Sequence, residues 1–121
     1  MTSGEGERLD RARQAVREIG AAALRSNVSR VEVLAEAVEG VGRGGLSDDE
    51  RAAAVAVAHQ LVGSAGTFGY GHVSKLARQL ELFLSTGHVD PAGPPSTGLT
   101  AARAALVEIR HDLRREPDDA D

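Results

Sequence analysis

The chain has 121 residues, room for one domain and one core, and its 41% apolar and 26% charged residues match a water-facing globular composition. A formal charge of -4 opposes binding to polyanions, three aromatic residues (Phe68, Tyr70, Phe83) offer little for base stacking, and no run of 18 apolar residues exists to cross a membrane, so neither nucleic acid nor membrane is an expected partner. The absence of cysteine removes disulfides, thiol nucleophiles, zinc-thiolate sites and iron-sulfur clusters, which leaves histidine, hydroxyls and carboxylates for chemistry.

Residues 1–7 are small and acidic, without the basic start and apolar run of a secretory signal; a flexible N-terminus and a cytoplasmic location are expected. Leu9, Ala12, Val16, Ile19 and Ala23 then step by three and four, which lines one side of a helix. A second series, Leu24, Val28, Val31, Ala35 and Val38, continues with its phase moved by one residue around Ser26 and Asn27, so the two pieces are either two helices or one kinked helix. Gly42, Gly44 and Gly45 end it.

Ser47 with Glu50 three residues on reads as a capping box that starts a helix near Asp48 and carries it to about Phe68, despite glycines at 63 and 66. A turn around Gly69 and Gly71 leads to an amphipathic segment with Val73, Leu76, Ala77, Leu80, Phe83 and Leu84 on one side, ending at Gly87. Residues 88–96 hold three prolines and are expected as an irregular connection. The last helix carries Leu99, Ala102, Leu106, Ile109 and Leu113 and stops at Pro117, before an acidic flexible tail over 117–121. Amphipathic helices with short connections bury their stripes against one another. The expected fold is therefore all-α, an antiparallel up-and-down four-helix bundle over residues 8–116 with an additional N-terminal helix.

On a helix turning about 100° per residue, with His59 set at zero, Ala54, Val57, Leu61, Ala65 and Phe68 fall between roughly 160° and 240° and form the expected core stripe. His59 then points outward, with Ala52, Ala56, Gly63 and Gly66 within about 60° of it. Two glycines inside a helix cost on the order of 1 kcal/mol each relative to alanine. Because both lie on the histidine side rather than toward the core, they read as bare backbone that lets a second macromolecule approach the ring.

The run His59, Leu61, Gly63, Ser64, Ala65, Gly66, Thr67, Phe68, Gly69, followed by Leu76, Ala77, Arg78, Leu80 and Glu81, resembles a histidine-containing phosphotransfer (HPt) domain, with close similarity over residues 58–81. The resemblance implies a helical bundle in which His59 accepts a phosphoryl group from a receiver-domain aspartyl phosphate, or from a kinase, and passes it to another receiver domain. It further implies a response-regulator receiver domain and a sensor or hybrid histidine kinase as partners, and a docking surface around the histidine formed by Ala52, Val55, Ala56, Val62 and Gly66. A non-transferring scaffold of the same fold, which binds a receiver or kinase and modulates its output, is the alternative.

The residue chemistry agrees with transfer. An ordinary imidazole is mostly neutral at pH 7, so a lone pair is available for attack on phosphorus. Nothing in the chain resembles a nucleotide or magnesium site; no intrinsic cofactor is expected, and Mg²⁺ is expected in the partner receiver domain. The family commonly places a lysine or arginine one or three positions after the histidine, where this chain has Gln60 and Val62. Gln60 still donates an amide hydrogen bond, and Lys75 or Arg78 on the next helix supplies candidate positive charge beside the phosphate, with Gly63 giving access. Glu108 and His111 form a single Glu-x-x-His pair, too few ligands for a di-iron bundle, and no metal site is expected. His72, His88 and His111 read as ordinary surface residues.

Overall fold

The computed structural model describes residues 3–86 and 95–117. Those residues form four helices and no strand: α1 (Ser3–Gly42), α2 (Asp48–Thr67), α3 (Gly71–Thr86) and α4 (Pro95–Asp112). Each helix packs on its neighbour in sequence, and α4 closes back on α1. Antiparallel order is visible in the cross-links: Glu32 and Glu39 of α1 meet Arg110 and Arg103 of α4, and His59 and Val62 of α2 meet Glu81 and Ser74 of α3. This is the up-and-down bundle that the helical periodicities imply.

The expected additional N-terminal helix is corrected. The two apolar series on either side of Ser26 and Asn27 belong to one 40-residue helix, because neither residue breaks helical geometry and no glycine or proline stands at the phase shift. Residues 3–7, expected as a flexible lead, are the first turns of this helix. Asn27 is the first buried residue of α1, its Oδ1 accepting from Arg30 Nη1 at 2.8 Å, and Val31, Leu34 and Val38 follow it into the core.

Glycine sets both described turns. Gly44 and Gly45 take φ of 134° and 110°, and the Gly45 amide donates to the Gly40 carbonyl at 3.1 Å, closing the end of α1. Gly69, at φ 87°, does the same for α2, where the Tyr70 amide donates to the Ala65 carbonyl at 2.8 Å. The capping box forms as the spacing predicts: the Glu50 amide donates to Ser47 Oγ at 3.1 Å and the Ser47 amide donates to Glu50 Oε1 at 2.9 Å. Leu34, Leu61, Leu80, Phe83, Leu84 and Ile109, contributed by all four helices, are fully buried and fix the bundle axis.

α4 starts at Pro95, where a proline's missing N–H costs nothing, so residues 95 and 96 of the expected connection are helical. The helix stops at Asp112, short of Pro117, and hydrogen-bonded turns carry the chain over residues 113–115. Residues 87–94, including Gly87 and His88, and residues 118–121 of the tail lie outside the described residues.

Candidate functional site

His59 sits in the middle of α2 with its side chain 76% exposed, as the helical projection requires. The buried face of α2 is Ala54, Ala58, Leu61, Val62 and Ala65, which centres about 45° from the expected stripe, toward α3. Val57 and Phe68, placed in the core by the sequence, are therefore half-buried at its margin. The same rotation corrects Val62, which is not a docking residue: only 8% of it is exposed.

Opposite His59 on the antiparallel α3 stands Glu81, its Oε2 3.2 Å from His59 Nδ1 and its side chain 25% exposed. A carboxylate only accepts at neutral pH, so the proton of this contact resides on Nδ1. The lone pair of the neutral ring is then on Nε2, the nitrogen that does not contact Glu81. Glu81 was legible as part of a motif but not as this partner, because its position opposite His59 depends on the register of two helices. The register is held by Ser74, whose Oγ donates to the Val62 carbonyl at 2.7 Å.

On the N-terminal side of His59, the exposed Ala52 and Ala56 and the half-buried Val55 floor a shallow, mostly apolar groove between α2 and α3, rimmed by Asp48, Arg51 and Ser85. Arg51 is committed to structure there, its Nη1 donating to the Leu84 carbonyl at 2.8 Å near the end of α3. On the C-terminal side, a Cβ added to Gly63 would meet nothing within 4 Å, so no packing reason exists for this glycine. Gly66 differs: its Cβ would lie 3.5 Å from Ser74 Oγ, so this glycine faces α3 as well as the exposed surface. Gln60 is exposed, as are Lys75 and Arg78, and neither cation has an ion pair among the described residues.

A family model described as Hpt domain matches residues 6–116. The chain belongs to the Hpt domain family. No curated protein and no solved structure matches it. Hpt domains carry phosphoryl groups in two-component relays, as carriers rather than catalysts, and work with receiver domains and histidine kinases. Within this Hpt domain, the residues that the structure brings together are therefore His59, Glu81, Gly63 and the groove over Ala52, Val55 and Ala56.

At the far end of the bundle, His72 Nε2 lies 3.5 Å from Glu108 Oε1 and 3.8 Å from Asp112 Oδ2, tying the start of α3 to the end of α4. Among the described residues no three His, Asp or Glu side chains form a group that could hold a metal ion, and no helix is long and apolar enough to cross a membrane.

Proposed function

We propose that this Hpt domain is a phosphorelay intermediate in which His59 Nε2 takes a phosphoryl group from a receiver-domain aspartyl phosphate, or from a kinase, and hands it to another receiver. The observation that carries the reading is a solvent-facing imidazole whose other nitrogen is tied to a carboxylate. The Nε2 lone pair attacks phosphorus, the N–P bond forms as the P–O bond to the aspartate breaks, and the carboxylate leaves with the electron pair. The ring keeps its Nδ1 proton and becomes cationic, and Glu81, already accepting from that proton, balances the charge. Return transfer reverses each movement onto the next receiver's aspartate. On this reading Mg²⁺ belongs to the receiver's acidic cluster and the Hpt domain contributes the nucleophile alone.

Arg78 is the better candidate than Lys75 for neutralising the phosphoryl oxygens. On α3, with Glu81 at zero, Arg78 falls at about 60° and one turn away, whereas Lys75 falls at about 120° and two turns away. Arg78, which has no ion pair among the described residues, thus projects on the side nearer His59 and is our candidate to replace the cation that Gln60 and Val62 do not provide. Ala52, Val55, Ala56 and Gly66 form the docking surface for the receiver.

The test is incubation with a phosphorylated receiver domain. Wild-type protein acquires acid-labile, alkali-stable label, and His59→Gln acquires none; label on the variant overturns the assignment. Because Gln60 and Val62 leave α2 without a cation beside the histidine, receiver binding with no label on wild-type protein would identify the non-transferring scaffold instead.

A further inference from the structure

The contact between His59 and Glu81 lies on the seam where α2 packs against α3, and two other side chains tie that seam down from opposite sides. From α3, Ser74 Oγ donates to the Val62 carbonyl at 2.7 Å; from α2, Arg51 Nη1 donates to the Leu84 carbonyl at 2.8 Å. Both bonds are partly buried, and both are shorter than the 3.2 Å contact that they flank. Ser74 and Glu81 are one heptad apart on α3, within about 20° of each other around the helix, so the clamp and the carboxylate share one face.

The two clamps bracket the histidine. Val62 lies three residues after His59 and Arg51 eight before it, while Ser74 lies seven before Glu81 and Leu84 three after. The anchor points are thus roughly 16 Å apart along α2 and roughly 15 Å apart along α3. Two anchors of nearly equal spacing on antiparallel helices fix both their slide and their crossing angle, which a single anchor does not. The contact between them needs that restraint, because 3.2 Å is the long end of N–H···O hydrogen bonds and leaves little room for slide.

The chemistry of each clamp differs. The last carbonyls of α3 have no partner within the helix and its last turn holds no basic residue, so Arg51 brings both a donor and a positive charge to that end. The Val62 carbonyl is inside α2, where the helix already supplies an amide. Ser74 therefore does not rescue a stranded acceptor; its bond serves to fix α3 on α2. Gly66 leaves room for that hydroxyl, since an added Cβ would already touch Ser74 Oγ at 3.5 Å.

We propose that Ser74 and Arg51 are positioning residues for phosphoryl transfer, acting through Glu81: together they hold the carboxylate against Nδ1 and so keep the Nε2 lone pair available. The inference rests on the reading of His59 as the phosphoryl acceptor, but its first test needs neither phosphate nor a receiver.

The ¹⁵N signals of the His59 ring in the full chain should show a dominant Nδ1–H tautomer in wild type and part of that dominance lost in Ser74→Ala and in Arg51→Met, which keeps the apolar stem without the donor. The Ser74→Ala/Arg51→Met protein should approach the ratio of Glu81→Ala, with helical circular dichroism unchanged. Transfer from a phosphorylated receiver then separates positioning from general stability. Ser74→Ala should slow transfer roughly threefold when Glu81 is present and not at all in a Glu81→Ala background, because a residue that acts through Glu81 has nothing left to position. Equal slowing in both backgrounds would overturn the proposal for Ser74, and a wild-type tautomer ratio in either clamp variant would remove that residue from the role. Absence of label on the wild-type protein would instead overturn the phosphotransfer reading and leave the effect on the ring standing.

Discussion

Gly63 separates a packing role from an access role at the scale of one side chain. Were it there to let helices approach, a methyl group would collide; it meets open space instead. Gly63→Ala should therefore stabilise the fold by up to about 1 kcal/mol through helix propensity. On the proposed reading the same methyl would stand in the path of the visiting receiver, and transfer should slow on the order of tenfold, equivalent to about 1.4 kcal/mol of barrier. Thermal denaturation and transfer kinetics on one variant check both, and a loss of stability would return Gly63 to a structural role. Glu81→Ala tests the ring's other nitrogen: transfer should fall by roughly tenfold or more while receiver affinity holds, and ¹⁵N shifts of His59 should show the Nδ1–H tautomer losing its dominance. The outward direction of His59 was legible because helical periodicity fixes it to within a fraction of a turn. Val62 was misplaced because the run from Ala52 to Ala58 is apolar on every side, so its composition does not say where the buried stripe is centred.

Among the elements, start and stop signals with local chemistry were readable and those set by packing were not. The capping box needs only residues 47 and 50, and both of its hydrogen bonds form. Ser47→Ala should cost about 1 kcal/mol and lower the melting temperature by about 4 °C. Because α2 carries His59, the same change should leave transfer chemistry intact below that temperature; a variant that melts like wild type would show that the cap adds nothing here. The glycine turns after α1 and α2 are local in the same sense, each placing glycine where φ is positive. The continuity of α1 was open because Ser26 and Asn27 shift the hydrophobic phase without interrupting the backbone, and two stripes on one continuous helix give the same pattern as two helices.

At the scale of the molecule, the pairing of α1 with α4 depends on contacts that no local pattern announces. Arg103 grips Glu39 with two bonds of 2.9 Å, and Arg110 reaches Glu32 at 3.2 Å, seven residues along each helix. The side-chain hydrogen bond from Arg103 holds the Glu39 carboxyl below the ordinary carboxylate range, with the charges of Arg103 and Arg43 acting in the same direction. Glu50 is lowered too, first by the backbone amide of Ser47 and then by its hydroxyl. Both groups bind protons less readily folded than unfolded, so on acidification the unfolded chain takes up protons first. The stability that they contribute is complete above the ordinary carboxylate range and is lost as pH falls through their lowered folded values. Melting temperatures measured from pH 7 down to pH 3 should therefore drop more steeply for wild type than for a Glu39→Gln/Glu50→Gln variant, with the curves converging at the acid end. The Glu39 share should shrink in high salt because the pair is exposed, whereas the short-range cap at Glu50 should persist. Parallel pH profiles for the two proteins would show that neither carboxylate links proton binding to folding.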